Sequence, residues 1–427
     1  MCPQSLEYIP LCRPGMLYNR NMYYPRDFLW GAATSSHQVE GYNTNNDWWQ
    51  WEEQGKTKNP SGAACDHFNR FDEDFQLAAS LGHNAHRLSI EWSRIEPKEG
   101  EFDRDAIAHY KEVLASLKAK SITPVVTLHH FTNPLWFQYC GGWLNPDNVG
   151  LFARYAKEVV NELGEDVCYW ITINEPMVYA LYSYCEGLWP PGTKSHIKGF
   201  RVVNNMIRAH RRAYDCIHEI YRGQQWETPM VGFAKNYRPF LACPEKCNPF
   251  GRLSVFCRNS YFNRYYLNNV KSNLDFIGFN YYELEYDSTD PALPYGLFGG
   301  NCTHGHKHLD HTNQLGWGMF PEGLTLVLDW LAKYKKPIMI TENGTCEIDD
   351  TWRQKFIEEH ICKIDQAIAK GIPVIGYLYW SLLDNFEWHH GSEIRFGLIN
   401  VNYETFERTV RPSALHYKAM IEERKGI

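Results

Sequence analysis

The 427-residue chain predicts a single-domain α/β barrel of eight strand–helix units. Three observations point to it. Short apolar runs rich in β-branched residues recur along the whole length. Most are continuous rather than alternating, as parallel strands buried on both faces require. Helical patterns separate them, and no repeat, linker or low-complexity stretch divides the chain. Eight alternating units of this kind close into a (β/α)8, or TIM, barrel.

The elements follow in order. The first strand is predicted at Phe28–Ala33 and the first helix at Asp72–Leu81. A second strand, Ala85–Ile90, precedes a helix over Arg104–Lys118, and a third, Thr123–His129, precedes one over Asn148–Leu163. The fourth, Tyr169–Asn174, leads to a long helix, Gly199–Tyr221. Strands five and six are Met230–Asn236 and Asp275–Tyr281, the latter followed by a helix over Gly323–Tyr334. Strand seven, Pro337–Thr341, precedes the helix Thr351–Lys370, and strand eight is Pro373–Tyr379. Long connections follow strands one (Ser35–Asp66), four (Met177–Lys198), six (Glu283–Gly316) and eight (Leu382–Arg411). In a barrel these are βα loops on one face, and they wall a deep pocket. Their Trp, Tyr, Asn and Gly suit a polyhydroxylated ligand with apolar C–H faces. Residues 1–25 read as an irregular N-terminal extension, and 26–427 as the barrel domain.

Composition removes several functions. Hydrophobic residues make up 44% and charged residues 22%, an ordinary globular balance. A net charge of -7 argues against nucleic acid or an anionic membrane as partner. No apolar run reaches the ~18 residues of a membrane span. The first twenty-five residues lack a basic region followed by an apolar core, so no secretory signal is expected. Thirteen cysteines, an odd number, read as thiols in a reducing, cytoplasmic compartment. Cys243 and Cys247 lack the second pair of a zinc site, and Asn301-Cys302-Thr303 carries little weight as a glycosylation sequon without a signal.

Two glutamates stand out. Glu175, in Ile173-Asn174-Glu175-Pro176, and Glu342, in Ile340-Thr341-Glu342-Asn343-Gly344, each lie just past an apolar strand. Two carboxylates at one barrel mouth are what glycoside hydrolysis needs, one as acid and base and one as nucleophile. Asn174 and Asn343 beside them suit sugar hydroxyls. Pro176 disfavours helical geometry at Glu175. Arg87 lies within strand two, where a charge must be paired, either in a structural salt bridge or with a catalytic carboxylate that it holds ionised. Glu387, between Phe386 and Trp388, suits a pyranose edge and face. Gln38 can donate and accept at once. His129 and His130 point to opposite strand faces, so they form no metal pair; one of them is expected at the sugar. No metal and no cofactor is expected, since two carboxylates suffice.

At this point the chain resembles glycoside hydrolase family 1, the β-glucosidase and β-galactosidase family. The matching blocks are Phe28–Thr34 with Gln38–Gly41, Arg87–Arg94, Thr172–Pro176, Asp275–Tyr282, Thr341–Gly344 and Trp380–Trp388. The resemblance implies a retaining double displacement by an exo-acting β-glycosidase, taking a β-linked oligosaccharide or an aryl or alkyl β-glycoside. Glu342 would be the nucleophile and Glu175 the acid/base, with carboxyls ~5–5.5 Å apart. Like charge on Glu342 should raise the pKa of Glu175. Arg87 and Tyr282 would hydrogen-bond Glu342, and Asn174 the sugar 2-hydroxyl. Gln38, His130, Glu387 and Trp388 would bind the outer hydroxyls, over a floor formed by Trp380. Asn236 and Trp317 would border the aglycone. A cis peptide is expected at Trp380-Ser381. Phe131 stands where the family usually has Trp, which removes an indole donor and is expected to relax glycone selectivity; Ser392 stands where it has an aromatic residue, so that part of the pocket rim departs from the family pattern. The rival readings are a 6-phospho-β-glycosidase, disfavoured by Glu387, and a non-catalytic sugar-binding relative, disfavoured by the presence of both glutamates.

Overall fold

The computed structural model describes residues 24–243, 249–288, 300–301 and 311–426. Most of the N-terminal extension, Cys247 and the Cys302-Thr303 part of the sequon lie outside the described residues.

Eight parallel strands close into a barrel in chain order, with the first hydrogen-bonded to the last. They are β1 (Leu29–Ala33), β2 (Ala85–Ser89), β3 (Thr123–His129), β4 (Tyr169–Asn174), β5 (Met230–Asn236), β6 (Ile277–Asn280), β7 (Ile338–Asn343) and β8 (Val374–Trp380). The main helices are α1 (His67–Ser80), α2 (Arg104–Ala119), α3 (Val149–Leu163), α4 (His196–Gln224), α5 (Pro249–Arg258), α6 (Pro321–Leu331), α7 (Asp350–Ala369) and α8 (Pro412–Lys425). Each predicted strand falls on an observed one. The predicted helix ends lie within five residues of the observed ones. Helices α5 and α8 go beyond those patterns; α5 continues through a π-helical turn, Asn259–Tyr265, into Tyr266–Val270. Two small sheets, of Phe240–Ala242 with Glu285–Ser288 and Gly300–Asn301, and of Ile399–Val401 with Arg408–Val410, stiffen the loops.

The strands alternate between two cores. Leu29, Ala85, Val125, Ile171, Ala234, Phe276, Met339 and Leu378, all buried, form one cluster inside the barrel. Their neighbours Trp30, Val126, Trp170, Phe233, Ile340 and Tyr377 face the helices and join the larger outer core. Burying both faces explains why the strands read as unbroken apolar runs. Polar side chains enter the interior toward the C-terminal ends: Arg87, Thr127, Asn174, Asn280 and Glu342. Register shifts interrupt the ladder between Ile171 and Asn174 and between Ile340 and Glu342. Such irregularities re-aim side chains at a barrel rim.

Candidate active site

Arg87 organises the polar cluster at the C-terminal ends of the strands. It is fully buried, and three of its nitrogens are engaged by four acceptors. Nε donates to Thr127 Oγ1 at 3.0 Å and Nη2 to Asn174 Oδ1 at 2.8 Å. Nη1 reaches the Thr341 carbonyl at 3.3 Å and makes an ion pair with Glu342. The second oxygen of Glu342 accepts from Tyr282 Oη at 2.6 Å. Burial raises the pKa of Glu342, while Arg87 and then Tyr282 pull it back down.

Glu175 has neutral partners. It caps a short helix, Pro176–Ala180, from the left-handed region at φ 43° and ψ 55°. Pro176 closes the right-handed helical region to the residue before it, and the chain takes the left-handed alternative, a strained choice for a glutamate. Asn280 Nδ2 donates to Glu175 Oε1 at 2.7 Å, and the Asn236 side chain adds a second hydrogen bond. The Glu175 carboxyl is pushed up to about 7, by burial first and by the charge of Glu342 second. The sequence argument named only the second cause. Two interacting buried carboxyls ionise as a pair. The first negative charge rests on Glu342, beside the guanidinium, and the retained proton on Glu175.

The remaining predicted positions fall into two groups. Gln38, fully buried, accepts from Ser35 Oγ at 2.6 Å. Its amide donates to the Phe386 carbonyl at 2.9 Å and to Glu387 Oε2 at 3.3 Å. Burial, then Glu342 and Glu175, push the Glu387 carboxyl up to about 8. Near neutral pH it therefore keeps its proton and both donates and accepts, where sequence reasoning expected a carboxylate. His130 Nε2 accepts from Asn174 Nδ2 at 3.2 Å, its ring lies parallel to Trp380 and Trp388, and its buried Nδ1 has no protein partner. Burial holds this imidazole neutral, well below its usual pKa. His129 turns instead to Asn133.

Trp380 packs with Tyr282, Phe396 and Trp317. Its peptide bond to Ser381 is cis. The Gly344 backbone lies so close to this segment that a Cβ there would sit 1.8 Å from the Trp380 carbonyl oxygen, which makes glycine obligatory. Trp317 lies 5.6 Å from the Tyr282 ring, one step further out from Glu342. Trp388 is 4% exposed and belongs to an aromatic wall, with Trp48 at 4.7 Å and Phe131 at 5.2 Å. Phe131, at φ 73°, also packs on Trp189 at 4.9 Å. Ser392 exchanges hydrogen bonds with Asn59 at 2.8 and 3.0 Å, so a loop contact stands at the position that departs from the family's aromatic residue.

Sequence reasoning missed Asn280. It links Thr341, Asn174 and Glu175, accepting from Thr341 Oγ1 at 2.7 Å and reaching Asn174 Oδ1 at 3.3 Å. An asparagine at the end of an otherwise apolar β6 was the available signal. Among the described residues, no group of three or more His, Cys, Asp or Glu side chains is placed to hold a metal ion. No helix among them is long and apolar enough to cross a membrane.

Comparisons with known proteins agree with this fold. The family model described as glycosyl hydrolase family 1 matches residues 20–242 and 257–426. A beta-glucosidase A of Thermotoga maritima is 31% identical over 446 residues, covering 93% of this chain and 98% of that protein. A beta-galactosidase of Pyrococcus woesei is 29% identical, covering 95% and 98%. Among solved structures, a beta-glycosidase from Pyrococcus horikoshii superposes with a TM-score of 0.86 at 38% identity, over 94% of this chain and 96% of that one.

Proposed function

The chain belongs to glycosyl hydrolase family 1, and from that premise we propose that it is a retaining, exo-acting β-glycosidase of the β-glucosidase type. One catalytic domain spans residues 26–427 and follows a short N-terminal extension. The observation that carries the reading is the unequal setting of two coupled carboxyls at one barrel mouth. Glu342 meets a guanidinium and a phenol. Glu175 meets two amides and keeps its proton.

The chemistry follows from that asymmetry. Glu342 attacks the anomeric carbon as the bond to the leaving oxygen breaks, and Glu175 delivers its proton to that oxygen. Esterification removes the charge of Glu342, and with it the second cause that raised Glu175. Glu175 then takes a proton from water, the oxygen of that water bonds to the anomeric carbon, and the ester bond breaks. Asn174, positioned by Arg87 and His130, is set to meet the 2-hydroxyl. Gln38, the protonated Glu387 and the open Nδ1 of His130 offer the donors and acceptors that outer hydroxyls need, over Trp380 and beside Trp388. Asn236 and Trp317 border the aglycone.

Relatives support the substrate class. The Thermotoga maritima beta-glucosidase has been solved with deoxynojirimycin and with galacto-hydroximolactam, and the Pyrococcus woesei relative is called a beta-galactosidase. Both gluco and galacto β-glycosides are therefore proposed as substrates, in the cytoplasm. Replacing Glu175 tests the assignment. Glu175→Ala should cost an alkyl β-glucoside far more kcat/KM than an activated aryl β-glucoside, which needs no acid. Equal losses on the two substrates would refute the acid role.

A further inference from the structure

Lys235 stands one residue before Asn236 on β5 and is fully buried. A buried ammonium normally meets a carboxylate. Lys235 has other contacts. Nζ donates to the Asn236 backbone carbonyl at 2.5 Å. It lies 4.3 Å from the ring centroid of Tyr237 and 4.5 Å from that of Phe262. Aromatic faces carry a negative quadrupole, and a desolvated contact with one favours the cation. Burial pushes the Lys235 ammonium well below its usual range, Glu175 pulls it back up, and Arg238 opposes it.

The surrounding chain is fixed with unusual care. Phe262 comes from the π-helical turn Asn259–Tyr265. In that turn, Asn263 pairs with both the N–H and the carbonyl of Arg238, at 3.1 and 2.7 Å. Asn259 does the same for Phe240, at 3.3 and 2.8 Å. The Tyr237 N–H bonds the Asn280 carbonyl at 2.9 Å, and Asn280 is itself a partner of Glu175. The exit of β5 is thus held by the π turn and by the Asn280 backbone, and Lys235 sits against the ring of Phe262 from that turn.

We propose that Lys235 is a positioning residue for the acid/base: its ammonium, seated on two rings and one carbonyl, fixes the Asn236 amide against Glu175 and supplies positive charge on the β5 side that favours Glu175 as a carboxylate. This rests on the acid/base reading of Glu175 and deepens it. Glu175 must be a proton donor in the first half-reaction and an anion in the second. The charged and titratable groups facing it are Glu342 on β7, Arg87 on β2, Tyr282 after β6, Glu387 in the last loop, and Lys235 from behind. Of these, Arg87 is spent on Glu342 until the ester forms. Lys235 is the cation not bonded to the nucleophile.

Lys235→Met removes the charge at similar length, and Lys235→Arg keeps it. With an activated aryl β-glucoside such as a dinitrophenyl glucoside, the first step needs no acid, so kcat reports the step in which Glu175 is the base. Lys235→Met should lower that kcat about tenfold at mildly acidic pH, the effect of one pH unit in the base. Its kcat/KM should stay within about twofold, since that step does not use the base. The alkaline limb of kcat/KM for an alkyl glucoside should move to higher pH. Azide, an anionic nucleophile that needs no base, should restore the lost kcat, and Lys235→Arg should retain most of it. Should the Met variant not accumulate folded, Lys235→Gln is read the same way. An unmoved alkaline limb, or a proportional fall in all parameters without azide recovery, overturns the proposal. Glu175→Ala assayed alongside separates the two ideas: if its base step survives, the acid/base reading fails first, whatever Lys235 does.

Discussion

Removing the Tyr282 hydroxyl takes one hydrogen bond from Glu342 and leaves the ring in place. Tyr282 Oη donates to Glu342 Oε2 at 2.6 Å, and the phenol is 9% exposed. Burial, then the charge of Glu342, push this phenol well above its usual range, so it stays protonated and remains a donor. A hydrogen bond to a charged group is worth about 1.5–3 kcal/mol. If Tyr282→Phe loses that amount in reaching the transition state, kcat/KM falls about 10- to 150-fold. The sign with pH follows directly. The hydroxyl favours ionised Glu342, so its loss raises the pKa of that carboxyl. The proposed mechanism requires the ionised form, so activity is lost as pH falls through that value. The acidic limb therefore moves to higher pH, and the deficit widens as the solution becomes more acidic. Initial rates with a nitrophenyl β-glucoside across the acidic and neutral range measure both effects, with thermal unfolding as a check on folding. A loss of under about threefold, less than 1 kcal/mol, with an unmoved acidic limb would refute the assignment of Tyr282 as a support for ionised Glu342.

Two further outcomes follow from the same geometry. The proton on Glu175 is lost as pH rises through about 7, so kcat/KM for an alkyl β-glucoside should fall above that pH, while an activated aryl glucoside should show a much weaker alkaline limb. Asp384, fully buried, accepts from Arg411 at 3.0 and 2.8 Å, so Arg411→Ala should destabilise the fold by about 3 kcal/mol in chemical denaturation, with Arg395 at 3.4 Å too distant to compensate fully.

The barrel was legible because strands buried on both faces leave unbroken apolar runs, and β3, β4 and β5 coincide with their predicted ends. Strand β7 was predicted to stop at Thr341 but runs on through Asn343. The register shift at its end carries polar residues into the ladder, where an apolar run gives no sign of them. The crossover after β5 was opaque for a related reason: its π-helical turn spaces side chains off the helical period. The glutamates, Arg87 and Tyr282 could be named from strand ends and family resemblance. The partners of Glu342 were implied by the same resemblance, but the amide on Glu175 and the buried setting of Glu387 were not. Asn280 reads as a polar strand residue until its neighbours are known, Lys235 as an exposed lysine, and Glu387 as an ordinary carboxylate. Their roles depend on burial and on partners drawn from distant parts of the chain, such as the Gln38 amide on Glu387, which local sequence does not encode.

In the proposed mechanism Glu342 forms a covalent bond to the sugar while Glu175 moves the protons. Trapping tests it most directly. The protein is treated with an activated deoxyfluoro β-glucoside, digested, and its peptides mapped by mass spectrometry. A single labelled peptide containing Thr341-Glu342-Asn343-Gly344 is expected, with the added mass on Glu342. A label on Glu175 or Glu387, or no adduct together with a product of inverted anomeric configuration, would contradict it.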